Sequence, residues 1–126
     1  MEPSAAERLM RAALKDLPDG EGAFEDWCDG DGIPDDAAGN DARFRIRMRV
    51  QKSGDGLIVD FEGSDPQNKG PMNAPLSVTA SGVYCGLKMA VDPESLIPPN
   101  SGCWRAIAVR APRASVVNAA FPAPVV

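Results

Sequence analysis

Residues 43–50 read Arg-Phe-Arg-Ile-Arg-Met-Arg-Val, and this stretch decides the fold class. Arginine alternates with an apolar residue throughout, which is the two-residue period of a strand with one buried face. A turn, Ser53-Gly54-Asp55-Gly56, separates it from a second apolar run, Leu57-Ile58-Val59-Asp60-Phe61. Two such runs joined by a glycine-containing turn predict an antiparallel β-hairpin.

The segments around the hairpin predict two helices and one further strand. Residues 4–16 begin with Ser4 as N-cap and Glu7 three positions later, which is a capping box. The apolar residues at helical spacing there are Ala6, Leu9, Met10 and Ala13. Residues 76–91 are small and apolar with Lys88 as the one charge, which predicts a buried helix, and residues 104–110 alternate as a third strand. Residues 17–41 are expected to form a turn-rich loop segment.

The sequence therefore predicts an α+β fold in a single domain, residues 1–126. Leu, Ile, Val and Phe make up 26 of the 126 residues, about 21 per cent, which is a thin supply for a core. Three strands and two helices offer little burial on their own. We therefore expect a partner subunit to complete the sheet and to supply part of the stability.

Composition excludes several classes of function. The chain has no histidine, so it has no Ser-His-Asp triad, no Cys-His dyad and no histidine-ligated metal. A net charge of −5 argues against nucleic acid or an anionic membrane as the main partner. No apolar run is long enough to cross a bilayer, and no secretory leader is apparent. Three widely spaced cysteines fit buried, reduced thiols and a cytoplasmic location.

The charge of the chain is divided between two regions. Residues 16–41 carry ten acidic residues and no basic one. Asp29-Gly30-Asp31-Gly32 resembles the start of a calcium loop, but the later ligand positions do not match. Asp26, Asp29 and Asp31 could bind Mg²⁺ or Mn²⁺ with outside ligands, although a solvated or partner-facing turn is favoured. The four arginines of residues 43–50 could bind an anion, face solvent at a sheet edge, or pair with the acidic segment or a partner.

The loop after the second predicted strand contains the candidate binding residues. Asp60 stands at the strand end, and Ser64, Gln67 and Asn73 follow with hydroxyl and amide groups. Loops at strand exits are suited to ligand binding. The alternative is a tight connection in which these side chains satisfy backbone groups. Because no base and nucleophile pair lies nearby, binding or structural support is predicted rather than catalysis.

Several short segments, taken in order, resemble the central part of the hydantoinase B/oxoprolinase family. They are Leu17-Pro18-Asp19-Gly20, Glu25-Asp26 with Asp29-Gly30, residues 59–64, Gln67, Gly70-Pro71-Met72-Asn73, Pro99-Asn100-Ser101-Gly102 and residues 121–125. Several features depart from the family. Its members are several times longer, and this chain lacks the histidine-containing part where they are expected to hold a metal. Pro112-Arg113-Ala114-Ser115 and Val117-Asn118-Ala119 replace a more usual Pro-x-Gly-Ser and Asn-Pro.

The resemblance implies an accessory role in a larger enzyme. Family members include ATP-dependent hydantoinases, oxoprolinases, and acetone and acetophenone carboxylases. The function implied first is a small subunit of an acetophenone-carboxylase-like enzyme that carboxylates an aromatic ketone. Its partners would be larger kinase-like and hydantoinase B-like subunits, which would hold ATP and a divalent metal, while this chain binds no cofactor. Asp60, Ser64, Gln67, Asn73 and Asn100 would line the substrate chamber. The alternatives are part of an ATP-dependent amidohydrolase, or a scaffold module without enzymatic activity.

Overall fold

The computed structural model describes residues 2–125 and contains two α-helices and one four-stranded sheet. The helices are α1 (Ala5–Lys15) and α2 (Leu76–Val91), and the strands are β1 (Gly20–Cys28), β2 (Phe44–Ser53), β3 (Gly56–Asp60) and β4 (Ile107–Arg110). The strands lie in the order β1-β2-β3-β4. The first two pairings are antiparallel, and β3 pairs in parallel with β4. The predicted α+β class is confirmed.

The predicted hairpin is present with the expected faces. Ser53 pairs with Gly56 at the turn between β2 and β3. Phe44, Leu57 and Val59 are buried on the inner face of the sheet. The two-residue period therefore identified both the strands and the side of each that packs inward.

Strand β1 corrects the prediction of a loop over residues 17–41. Phe24 lies opposite Met48, and the pairing with β2 runs without a break from Gly20 to Cys28. The apolar residues Phe24 and Trp27 are three positions apart, so they face opposite sides and give no strand period. Complementary charge supplies the missing signal, because the acidic residues of β1 lie against the basic residues of β2.

Helix α1 begins as predicted but buries a slightly different face. The Ser4 hydroxyl accepts a hydrogen bond from the Glu7 amide at 3.2 Å, which confirms the N-cap. Ala6, Met10 and Leu14 are buried, while Leu9 is half exposed. Positions i, i+4 and i+8 therefore form the packing face, because the sheet and the 3-10 turn Cys103–Ala106 reach the helix from that side.

Two other predicted elements are present with changes. Helix α2 has the predicted range, but the expected burial is only partial: none of its residues is fully buried, and Val83, Tyr84, Leu87 and Val91 pack half-buried against the core. The third predicted strand, residues 104–110, is a 3-10 turn followed by β4. In the part of the chain that the structure describes, no helix is long and apolar enough to cross a membrane.

Candidate functional site

The loop that leaves β3 continues the hydrogen bonding of the sheet through side chains. The Ser64 hydroxyl accepts from the Arg47 amide and donates to the Arg47 carbonyl, both at 3.0 Å. Asp65 bonds the backbone of Arg45, two residues earlier in β2, in a similar way. Its carboxylate accepts from the Arg45 amide at 2.8 Å, and its own amide donates to the Arg45 carbonyl at 2.9 Å. The loop is thus held along β2. The role of Asp65 was not predicted, because one acid in a polar loop gives no pattern.

Asn73 connects this loop to the segment that follows β4, residues 111–125, which we call the C-terminal segment. It is 1 % exposed. Its side-chain oxygen accepts from the Asn68 amide at 2.6 Å. Its amide nitrogen lies 3.1 Å from the carbonyls of Asn68 and Gly70 and 2.8 Å from that of Pro124. Because a buried amide left unpaired is costly, these bonds fix the path of both segments.

Gln67 makes a second connection to the C-terminal segment. Its side-chain oxygen accepts from the Ala120 amide at 2.8 Å, and its backbone amide donates to the Ala114 carbonyl at 2.9 Å. Ala114 has a φ of 61°, in the left-handed region that favours glycine. The resemblance leads us to expect glycine at this position, and alanine occupies it here with a φ that glycine adopts more readily.

Asp60 and Asn100 stand apart from that connection. The Asp60 carboxylate accepts from the Glu62 amide at 2.9 Å, just beyond β3. The Asn100 side chain accepts from the amides of Gly102 and Cys103 at 3.0 and 3.3 Å, at the start of the 3-10 turn. Gly102 lies against the Ser4 side chain, so Asn100 belongs to the end of the molecule where α1 begins.

The five candidate residues make their hydrogen bonds at three places in the fold. Asp60 and Ser64 adjoin the sheet, Gln67 and Asn73 hold the C-terminal segment, and Asn100 adjoins α1. In each of them a side-chain oxygen accepts a hydrogen bond from a backbone amide. This geometry favours the structural alternative over direct substrate contact, which stays a prediction.

In the segment after β1, residues 29–41, which we call the acidic turn, carboxylates accept hydrogen bonds from backbone amides of the chain itself. Asp41 accepts from the amides of Asp31 and Gly32 at 3.1 and 2.7 Å. Asp31 accepts from the Gly70 amide at 2.6 Å and from the Ile33 amide at 2.9 Å. The hydrogen bond from Gly70 has the largest effect and that from Ile33 the next, and together they hold the pKa of Asp31 below its usual value. Among residues 2–125 no three His, Cys, Asp or Glu side chains gather as metal ligands.

The arginines of β2 pair chiefly with β1. Arg49 contacts Glu21 at 2.7 Å, and Arg45 contacts Glu25 at 3.5 Å. The guanidinium groups of Arg43 and Arg45 lie 5.6 and 5.9 Å from the centre of the Trp27 ring. Of the three roles considered for these arginines, the structure shows ion pairs with the acidic residues of β1.

Helix α2 borders two open cavities. One, of about 780 Å³, lies between α2 and the inner face of β2 and β3 and is lined mainly by apolar side chains. The other, of about 560 Å³, lies beside the stacked rings of Tyr84 and Trp104, whose centres are 4.4 Å apart. At its edge Lys88 pairs with Asp92, and this pairing lowers the pKa of the Asp92 carboxyl.

The three cysteines are unpaired, but they are not all buried. Cys103 is buried, Cys28 is half-buried and Cys85 is exposed. Burial raises the pKa of the Cys103 thiol, which keeps it protonated at neutral pH. The prediction of buried thiols is thus correct for one of the three.

Fold and sequence together place the chain in a known family. The sequence model of the hydantoinase B/oxoprolinase family matches residues 3–126. The chain belongs to the hydantoinase B/oxoprolinase family, which confirms the resemblance.

Three relatives show how this chain compares with whole proteins. The B component of a putative D-/L-hydantoinase from Pseudomonas sp. (strain NS671) is 36% identical over 96% of this chain and 21% of its own length. The beta component of the caprolactamase of Pseudomonas jessenii is 35% identical over 94% of this chain and 19% of its own length. The 5-oxoprolinase PfmaA of Pestalotiopsis fici is 30% identical over 97% of this chain and 8% of its own length. The chain spans about a fifth of the two bacterial subunits and less than a tenth of the third protein.

Two solved structures share the fold. The crystal structure of the ATP-dependent caprolactamase from Pseudomonas jessenii matches 96% of this chain and 20% of that chain, with a TM-score of 0.69 and 35% identity. The nucleotide-free structure of acetone carboxylase matches 90% of this chain and 16% of that chain, with a TM-score of 0.74 and 20% identity. At that identity the second match establishes the fold alone.

Proposed function

We propose that this chain is a structural module of an ATP-dependent enzyme that opens cyclic amides. The observation that carries the proposal is the identity of 30% to 36% with a hydantoinase subunit, a caprolactamase subunit and a 5-oxoprolinase, in each case over at least 94% of this chain. Hydantoin, caprolactam and 5-oxoproline all contain an amide within a ring. Hydrolysis of that ring amide is therefore the chemistry that the three names share.

The side chains support a structural rather than a catalytic share of that reaction. Ser64, Gln67 and Asn73 use their hydrogen-bonding groups on the backbone, and the chain contains no histidine. The module would hold its loops in place so that larger subunits can form the substrate chamber. We propose that ATP and the divalent metal bind to those larger subunits, one of them kinase-like and another hydantoinase B-like. The unpaired thiols are in keeping with a cytoplasmic location.

Carboxylation of an aromatic ketone is the second candidate. Its support is limited to the fold shared with acetone carboxylase at 20% identity. The cyclic-amide proposal has more support, because the relatives of higher identity bear the names of amide-opening enzymes.

A substrate-dependent ATP assay on the assembled complex separates the two candidates. The complex is purified through a tag on this chain, and release of inorganic phosphate is measured with hydantoin, 5-oxoproline or caprolactam, and with acetophenone plus bicarbonate. We expect at least one cyclic amide to raise ATP consumption several-fold over the rate without substrate. Stimulation by acetophenone and bicarbonate alone would replace this proposal with the carboxylase. A complex that none of these substrates stimulates would contradict both.

A further inference from the structure

Helix α2 is the unusual element of this fold, because it is apolar yet packs against the core only through partly buried side chains such as Val83 and Leu87. Its 16 residues include one charged side chain, Lys88, and none is buried. Helix α1, by contrast, buries Ala6, Met10 and Leu14. Between α2 and the sheet lies the cavity of about 780 Å³ described above. A helix with this composition is normally covered on more than one side.

The walls of this groove indicate an apolar, uncharged occupant. Met48 and Val50 of β2 form one wall, and Val83 and Leu87 of α2 form the other. The polar side chains at the groove already have partners. The Lys52 ammonium donates to the Leu17 carbonyl at 2.6 Å and to Asp19 at 2.8 Å, and the Thr79 hydroxyl donates to the Val117 carbonyl at 2.7 Å. A charged occupant would be desolvated there without compensation.

Two glycines border open space on the α2 wall of the groove. Gly82 and Gly86 both line the groove, and a Cβ placed on either would meet no atom within 4 Å. They are four positions apart, so they lie one above the other on the same face of the helix. Glycine at such positions lowers helix propensity, but it lets a second helix pack with its backbone close to α2.

The length of the relatives indicates where the occupant comes from. This chain corresponds to about a fifth of the hydantoinase and caprolactamase subunits, which are 36% and 35% identical to it. Its accessible surface is 7740 Å². A folded monomer of 13.3 kDa exposes about 6,500 Å², so roughly 1,200 Å² is in excess, more than one partner buries in a standard interface.

We propose that the groove between α2 and the β2–β3 face receives an uncharged apolar helix from the remaining four-fifths of a hydantoinase B-type polypeptide. The inference rests on the part of the proposed function that makes this chain a module of a larger assembly. It does not depend on which ring the assembly opens.

Filling the glycine positions tests the proposal. In the variant Gly82→Leu/Gly86→Leu the new side chains occupy the groove, and leucine is a better helix former than glycine. The free chain should therefore keep or raise its helix content and melting temperature, while its association with the larger polypeptide weakens at least tenfold. A loss of binding without a loss of folding cannot come from damage to the module itself.

The matched control is Ser81→Leu, on the side of α2 that lines the Tyr84–Trp104 cavity. Each chain, tagged and expressed in its own organism, is purified, and the co-purified polypeptides are identified and quantified by mass spectrometry. A photo-crosslinking residue in place of Val83 then maps the occupant. We expect crosslinks to an apolar helix of a hydantoinase B-type polypeptide that is retained by wild type and by Ser81→Leu.

Three outcomes would overturn the proposal. They are full retention of the larger polypeptide by the double-glycine variant, crosslinks to a second copy of this chain, and the absence of a hydantoinase B-type partner. The phosphate-release assay on the wild-type complex is scored separately. If the partner is lost from the glycine variant but no cyclic amide stimulates ATP use, the substrate proposal fails and the groove assignment stands.

Discussion

Asn73 links two parts of the chain that are 51 residues apart in sequence. A side chain with both a donor and an acceptor is needed there, because Asn73 accepts from one amide and donates to several carbonyls. Aspartate would lack the donors, and alanine would leave the carbonyls without this partner. The sequence predicted that Asn73 lies in a substrate-binding loop. In the structure its side-chain hydrogen bonds connect that loop to the C-terminal segment.

We expect Asn73→Ala to loosen the C-terminal segment. Loss of the buried hydrogen bonds should cost about 2 kcal/mol locally, which corresponds to roughly thirtyfold faster hydrogen exchange at the amides of Ala119 and Ala120. Both amides donate to the loop, to the Ala74 carbonyl and the Gln67 side chain. Amide exchange followed by NMR measures the effect. Asp60→Ala is the control, because its carboxylate bonds a local amide, and exchange as fast as in Asn73→Ala would contradict the assignment.

At the scale of elements, β1 is held by its backbone pairing with β2, and the acidic turn that follows it by hydrogen bonds to its carboxylates, more than either is held by apolar burial. Every residue of β1 except Cys28 is exposed. Its salt bridges to β2 lie on the solvent side, where each contributes little alone. The turn is then attached to the polar loop by the bond from the Gly70 amide to Asp31. This attachment depends on an ionised carboxylate.

The attachment of the turn should weaken in acid. The pKa of Asp31 is lowered in the folded chain, mainly by the Gly70 amide, so the folded state binds the proton less readily than the unfolded state. Its stabilising contribution is therefore complete above the ordinary aspartate pKa of about 3.9 and is lost as the pH falls through the lowered value. We expect the exchange protection factor of the Gly70 amide to fall as the pH drops below about 4.

Asp31→Asn should remove most of this pH dependence, because the side chain no longer titrates. Asp29→Asn is the matched control, since it removes an exposed charge from the same turn. Exchange measurements from pH 2 to pH 6 on the three proteins provide the comparison. An unchanged pH profile in Asp31→Asn would show that another group controls the turn.

At the scale of the whole molecule, the chain exposes more surface than a folded monomer of its mass, and several large apolar side chains contribute to it. Phe24 and Met89 are 64% and 69% exposed, and they lie on β1 and α2, the two least covered elements. Large exposed apolar surface commonly marks an interaction site. The thin supply of bulky residues seen in the sequence thus corresponds to a fold with one face left open.

We expect the isolated chain to unfold over a broad temperature range and to bind a hydrophobic dye such as ANS. The physical reason is that α2 contributes little burial until the groove is filled, so the two ends of the fold are weakly coupled. Calorimetry and dye fluorescence, with and without the larger subunits, measure this. Assembly should sharpen the transition and suppress the dye signal. A sharp two-state transition of the monomer without dye binding would count against an obligate module.

The sequence by itself determined the β2–β3 hairpin, the cap of α1, the range of α2 and the family. These are local properties: a two-residue alternation, a serine followed by a glutamate, a small-residue run and an ordered set of short segments. It also placed Asp60 at a strand end and named the loop that follows.

The tertiary structure alone decided where β1 pairs, what Asn73 and Gln67 hold, and that α2 stands open. The pairing of β1 depends on residues of another strand, and the role of Asn73 depends on a carbonyl of a distant segment. Neither therefore produces a local periodic pattern in the sequence. The exposure of α2 follows from what is packed around it, and a helix's own residues cannot say which neighbours are present.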